Sequence, residues 1–324
     1  MSISRFLRRA LCACVAGALP AGCGGSQAPR ALPAAQAPVA QVPSAQAPLV
    51  QAPGALKDTL IYAVGDESSF VFTFPKGKRV HKIDTTAFSA CSDRNGNVFF
   101  TQVRSVAEYR HGATAPFATF NLGAGTVYSC SVDPVTRDLA VVVFCIRGCG
   151  QEVVILPHRG GSRRRFHVAS LTSLLYCAYD DRGNLFVDGY NGTQFGLAKL
   201  PKGHRDFIPV SLDTQVHFGA ALQWDGEYLA IERREHPVIY RFAISGTTAR
   251  LAGRTKLDYI GYRATQSWIY DGTIAVPSAP YNKRPMEIFL YDYPAGGQPK
   301  KIIKGFIRGG NHAMIDGVTF SVPR

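Results

Sequence analysis

From residue 57 onward, apolar and polar positions alternate in short runs broken by Gly, Pro, Asp and Asn, and no stretch of helical period is long enough to compete. The clearest runs are Ser69–Phe74, Gln151–Leu156, Phe195–Leu200, Val238–Ala243 and Glu287–Tyr291. Each is followed by Pro, Gly or Ser and then by a more polar run such as Lys78–Ile83 or Lys301–Phe306. Rich in β-branched and aromatic residues, these runs predict strands joined by tight turns, hence an all-β domain. Six times a run reaches an Asp, turns and re-enters a strand-like run, at Asp93, Asp133, Asp181, Asp225, Asp271 and Asp316, with spacings of 40, 48, 44, 46 and 45. A repeat of that length holds one four-stranded antiparallel unit and is too long for a hairpin.

This is the period of a β-propeller blade. Six runs ending at the six Asp predict a six-bladed β-propeller over residues 57–324. Seven blades is the alternative, because one second-strand segment, Leu60–Val64 or Val318–Val322, is surplus. Thr59–Asp84 supplies only second, third and outer strands, and Asn311–Val322 an inner strand and one more. The N- and C-terminal strands are therefore expected to pair and close the ring, which removes free sheet edges. Asp93-Arg94-Asn95-Gly96-Asn97-Val98-Phe99 and Asp181-Arg182-Gly183-Asn184-Leu185-Phe186-Val187 resemble the signature of NHL-type and related bacterial β-propeller repeats. Gly and Asn accept the positive φ of a tight turn and Asp caps it, so these Asp read as turn formers and not as metal ligands. The resemblance implies a fold and names no activity.

Residues 1–22 differ in kind. Arg5, Arg8 and Arg9 precede an apolar stretch, Ala10–Gly22, too short to cross a ~30 Å bilayer core as a helix, the pattern of an export signal peptide. Leu19-Pro20-Ala21-Gly22-Cys23 resembles the bacterial lipoprotein cleavage box, with Pro20 where that family places Leu. The resemblance implies a lipid on Cys23 and a membrane-anchored protein of the cell envelope, with a periplasmic or secreted protein as the alternative. Residues 23–56 follow as a tether of Ala, Gln and Pro in which Gln-Ala-Pro recurs at Gln27, Gln36, Gln46 and Gln51. Such a segment favours polyproline II, and at ~3.1 Å per residue it could hold the domain up to roughly 100 Å from the membrane.

An oxidising compartment favours disulfides. Cys145 and Cys149 open and close a Gly-containing five-residue turn and are expected to bond across its base. Cys91, Cys130 and Cys177 stand at the same place in three consecutive repeats and read as small buried hydrophobes. The chain carries a net charge of +13, and because residues 1–22 hold three Arg and no acid the remainder carries +10. Lys76-Gly77-Lys78-Arg79, Arg163–Arg165, and Lys300 and Lys301 with Lys304 and Arg308 fall where outer strands begin or run, so they read as charged sheet edges with an affinity for anionic surfaces. For an exported protein nucleic acid is not the expected partner. An envelope protein, a polysaccharide or a small polar ligand is, and the oligomeric state stays open.

Propellers bind where the loops entering the inner strands converge. The residues expected there are Tyr128, Tyr176, His217, Gln266, Asn311 and His312, joined by Asn191 and Asn282, and on the same face by Asp188 and Glu232. Aromatic faces beside amides suit sugars or small polar molecules. Related propellers include lactonase-like hydrolases and streptogramin lyases that use a divalent cation. Their resemblance supplies the alternative, a metal-assisted hydrolase or lyase with Ca²⁺ or Mg²⁺ in which His217, His312 and Glu232 would act. No HxxE or HxH spacing, mouth carboxylate pair or Gly-Xaa-Ser-Xaa-Gly elbow supports that chemistry, so the sequence favours a binding or interaction module without metal or cofactor.

Overall fold

The computed structural model describes residues 56–144, 150–217, 219–233, 238–258, 266–278, 287–304 and 315–324. Among these the regular elements are 23 strands. The chain runs as successive antiparallel meanders. The first is β1 (Leu60–Gly65), β2 (Ser69–Thr73) and β3 (Arg79–Ile83). Next come β4 (Ser89–Ser92), β5 (Val98–Thr101), β6 (Val103–Tyr109) and β7 (Ala118–Val132). Strand β7 serves two meanders: its start pairs with β6, the chain bends at Gly123–Gly125, and Thr126–Val132 pairs with β8 (Leu139–Phe144). β9 (Gln151–Leu156) and β10 (Arg164–Phe166) complete that sheet.

β11 (Ser173–Tyr179), β12 (Leu185–Asn191), β13 (Gln194–Leu200) and β14 (Ile208–Leu212) form the next meander. It is followed by β15 (Gly219–Trp224), β16 (Leu229–Arg233), β17 (Val238–Ser245) and β18 (Thr248–Lys256), whose edge meets β14 in a short parallel pairing. Then come β19 (Trp268–Tyr270), β20 (Thr273–Ser278), β21 (Glu287–Asp292) and β22 (Gly296–Ile303). The last strand, β23 (Ile315–Ser321), pairs antiparallel with β1, so the sheet that opens the chain is completed by its end.

The core lies between sheets. One cluster packs Tyr62 and Val71 against Phe100 and Tyr109, another Phe186 and Leu197 against Ile231 and Phe242, and another Phe70 and Phe72 against Ile288 and Leu290. Each fully buried Phe or Leu contributes about 1.5–3 kcal/mol, so every sheet depends on both neighbours for its stability. The leading strands are also stitched by side chains where no ladder joins them. The Gln223 amide donates to Ile269 O (2.8 Å) and accepts from Ile269 N (2.7 Å). The Gln266 amide donates to Ala90 O (2.7 Å) and accepts from Ala90 N (3.0 Å).

The start of the described residues and the C-terminal strand meet at a latch. His111 contacts Ser321 Oγ through Nδ1 (2.7 Å) and Leu56 O through Nε2 (2.9 Å), while Ser321 Oγ donates to Gly96 O (2.6 Å). Arg324 donates to Asn95 O (2.9 Å) and Asn97 Oδ1 (3.1 Å). Gly96 has φ +80°, and a Cβ there would lie 2.0 Å from Val322 O, so only glycine fits this turn against the C-terminal strand.

Three readings from the sequence are corrected. The Asp-Gly at Asp316 is not a turn after an inner strand: Asp316 lies within β23, in a bulge opposite Val64 and Gly65. Val318–Ser321 is thus part of the same strand as Ile315, and β1 is the second strand of that sheet. In the fourth meander the capping residue is Asp180. Its Oδ1 accepts from Arg182 N and Asn184 N and its Oδ2 from Asn184 Nδ2, the same set that Asp93 takes from Asn95 and Asn97. Finally, Cys91 and Cys130 are not free packing residues but form a disulfide between β4 and β7, while Cys177 is a buried free thiol. Their shared register, opposite Phe99 and Val141, puts the two cysteines face to face on neighbouring strands. Cys145 and Cys149 lie outside the described residues. Of the basic clusters, Arg79, Arg164, Arg165, Lys300 and Lys301 fall on edge strands β3, β10 and β22, Lys76, Lys78, Arg163 and Lys304 flank them, and Arg308 lies outside the described residues; Arg164 pairs with Asp138 (3.1 Å) and Arg165 with Glu152.

Candidate functional site

At the end where the chain enters its leading strands, bulges recur. The pairing slips by one residue between Val127 and Ser129 in β7, between Leu174 and Cys177 in β11, and between Gly219 and Ala221 in β15. A bulge re-aims the extra side chain and leaves a backbone group unpaired. Tyr128 and Tyr176 sit in two of these bulges, and their rings meet at 5.6 Å between centroids. The freed Tyr176 N–H donates to Asp188 Oδ1 at 2.8 Å.

Asp188 is fully buried, and its Oδ2 has no partner among the described residues. That oxygen faces β15: a Cβ on Gly219 would come within 3.3 Å of it and 2.9 Å of the Phe195 ring, so glycine makes the close approach possible. Burial pushes the Asp188 carboxyl up to about 7, against the Tyr176 amide that favours its charge. Glu232 holds the matching position in β16. It is 1% exposed, and neither oxygen has a hydrogen-bond partner among the described residues. The Ser267 hydroxyl and amide approach it and favour its charged form, but not in hydrogen-bonding geometry, and burial raises it to about 8. Arg233 Nε, next along β16, is likewise buried and unpartnered among the described residues. At neutral pH this end therefore holds two buried acids, Glu232 mostly protonated and Asp188 about half so, with Asp188 bonded to the backbone of the tyrosine pair.

Among the expected site residues, Tyr128, Tyr176, Asp188 and Glu232 thus gather at one end. Gln266 is buried, and its amide is held by Ala90 and by the Ser89 hydroxyl (2.9 Å). His217 and Asn191 are exposed. Asn282, Asn311, His312 and Cys23 lie outside the described residues. No group of three or more His, Cys, Asp or Glu among the described residues could hold a metal ion.

The opposite end, where leading strands turn into second strands, carries residues that the sequence reading took only as turn formers, Asp181 and Asp225, together with Arg94, Trp224, Arg241 and Tyr293, which it gave no role. Arg94 and Asp181 occupy the same place in two turns, one residue past the capping Asp, and they pair with each other. Asp181 Oδ2 also accepts from Trp224 Nε1 at 2.8 Å. Beside them Asp225 Oδ2 accepts from Arg241 Nε (2.9 Å) and Tyr293 OH (2.6 Å), while its Oδ1 accepts from Glu227 N and Tyr228 N. Burial pushes the Asp225 carboxyl up, but these donors outweigh it and hold the group below its ordinary value. The Arg241 guanidinium lies over the Tyr228 ring at 4.5 Å and the Tyr293 ring at 5.5 Å. Arg94, Asp181, Trp224, Asp225, Arg241 and Tyr293 wall an open cavity of about 520 Å³. The clue available in the sequence was the repeat itself, since Arg94 and Asp181 hold the same place after a cap and pair with each other.

No protein-family model matches the chain, and no curated protein matches it in sequence. Solved structures do resemble it. A component of a nidogen/laminin complex superposes with a TM-score of 0.64 at 11% identity, covering 82% of this chain and 99% of that one. A Bacteroides caccae protein of unknown function gives 0.60 at 11% identity, with the same coverage. A TolB candidate from Agrobacterium tumefaciens gives 0.53 at 10% identity over 76% of this chain and 88% of that one. The neighbours are β-propeller-like, and at such identities they assign this chain its fold alone: an all-β, propeller-like domain.

Proposed function

We propose that residues 57–324 form a six-bladed propeller, closed by pairing of β1 with β23, that is exported, held at the cell envelope by a lipid on Cys23 and a flexible tether, and works as a binding module. Six blades are supported by the pairing, which divides the strands into six sets of four when β7 is counted in two. Closure is supported by leading strands that neighbour one another in cyclic order, β4, β7, β11, β15, β19, β23 and β4 again. Export is supported by the basic and apolar residues 1–22 and by the Cys91–Cys130 disulfide, a bond that persists in oxidising compartments.

The observation that carries the binding reading is the tyrosine pair Tyr128 and Tyr176, set by bulges above the buried carboxyls. Rigid aromatic surface with a polar tip is what a polysaccharide, a small polar ligand or an envelope protein would meet. The test has two arms. Full-length protein made in a bacterial host with labelled fatty acid is expected to carry label that Cys23→Ser loses. A panel of envelope polysaccharides is then titrated against the wild type and the Tyr128→Ala/Tyr176→Ala variant. Binding that survives loss of both rings would overturn the assignment of the site.

A further inference from the structure

The cavity at the turn end is built differently from the tyrosine end. We propose that it is a second binding site, selective for an organic cation: a primary amine or guanidinium carried on an apolar stem.

Charge decides the class. Arg94 and Arg241 line the cavity with Asp181, Asp225, Glu227 and Asp271. Asp181 neutralises Arg94, and Asp225 neutralises Arg241. Glu227 and Asp271 are exposed and form no ion pair among the described residues. The wall is therefore left with two uncompensated carboxylates, on a chain whose net charge is +13. An anion is repelled here, and a neutral ligand gains nothing from the excess charge. A cation does gain, and a concave surface focuses that field.

Shape and aromatic surface agree with charge. Trp224 is fixed by its N–H bond to Asp181, which sets the plane of its ring at the cavity wall. An indole face attracts an ammonium or guanidinium placed over it within about 6 Å. Arg241 over the Tyr293 ring at 5.5 Å shows the same chemistry already at work in this wall. Tyr270 packs one face on Phe320 with rings 5.1 Å apart and supplies an apolar side for a methylene stem. The depression, about 520 Å³, has room for such a group and its stem. Two sources share this chemistry, a free polyamine and the Lys or Arg side chain of a peptide.

The chain has two tryptophans, Trp224 and Trp268, so a Trp268→Phe background makes Trp224 the reporter. Titration with spermidine and with a short Lys-rich peptide is expected to change Trp224 emission saturably. The ligand that binds at least tenfold more tightly identifies the source. Glu227→Gln/Asp271→Asn is expected to weaken binding at least tenfold. Both side chains are exposed and Asn tolerates the φ of +45° at position 271, so this variant keeps the fold. Raising salt from 50 to 500 mM is expected to weaken binding further. If Trp268→Phe disturbs the fold, equilibrium dialysis of labelled spermidine on the unmodified protein replaces fluorescence. Equal affinity of the charge-neutralised variant, equal binding of a neutral disaccharide, or no binding of either cation at millimolar concentration each overturns the proposal.

Discussion

Glu232 offers the sharpest test of the structure, because its effect changes with pH in a direction that geometry fixes. The carboxyl titrates at about 8 in the folded protein against 4.5 for an ordinary glutamate, and burial is the cause. Between these values the folded protein binds more protons than the unfolded chain, so stability falls as pH rises. The contribution is intact below pH 4.5 and lost progressively up to and beyond pH 8. With ~1.4 kcal/mol for each pH unit of displacement, the loss between pH 5 and pH 8 is on the order of 3–4 kcal/mol. Glu232→Gln removes the titration and keeps the shape. Asp188 and Glu108, raised to about 7 by burial, titrate alike in both proteins and cancel in the difference. A constant cost of the buried amide cancels too. Urea unfolding at pH 5 and pH 8 is therefore expected to show the variant gaining about 3 kcal/mol on the wild type between the two conditions. Parallel stabilities at both pH values would refute the burial of an unpartnered carboxyl.

The disulfide between Cys91 and Cys130 closes a sequence separation of 39 residues, so Cys91→Ala/Cys130→Ala should lower stability in urea by about 4 kcal/mol. His111→Ala removes both bonds that tie Leu56 and Ser321 together and is expected to cost about 2 kcal/mol, with hydrogen exchange accelerating first in β1 and β23. Gly96→Ala forces a side chain into φ +80° against Val322 O, and a loss of about 2–3 kcal/mol with fraying of the C-terminal strand is expected by the same measurements.

The repeat made the fold legible because each meander must reverse its chain in the same tight turn, and that turn limits its residues. Asp93, Asp133 and Asp225 cap turns as their spacing predicts. The fourth cap was misplaced by one residue because Asp180 and Asp181 are adjacent, and only hydrogen bonds distinguish the cap from its neighbour. Asp316-Gly317 imitates a turn because a bulge uses the same residues. The disulfide was implicit in the repeat: cysteines at one register in consecutive units lie on strands that touch. The tyrosine pair was legible for the same reason. The turn-end cavity was not, since Arg241 and Tyr293 come from third-strand regions of different meanders and meet Asp225 only after packing.

Departures from the repeat also locate chemistry by their energy. The position occupied by Asp188 lies three residues after the start of its second strand, and its counterparts are Ala63, Thr101, Val142, Glu232 and Val276. Alanine or valine fits there without cost. Thr101 satisfies its hydroxyl on Ser89 O at 3.1 Å. The two acids, in successive meanders, have oxygens with no partner among the described residues, and burying such groups costs several kcal/mol that a valine would return. Against that cost the fold gains one bond, from the Tyr176 N–H to Asp188, and none from Glu232 among the described residues. Local sequence that opposes the fold is expected at functional sites, and these two positions stand at the end where bulges bring the Tyr128 and Tyr176 rings together at 5.6 Å. Replacing both acids by Val should therefore stabilise the domain at pH 8 while weakening whatever binds at Tyr128 and Tyr176, and a doubly substituted protein that is more stable yet binds its polysaccharide as well as the wild type would remove the acids from the site.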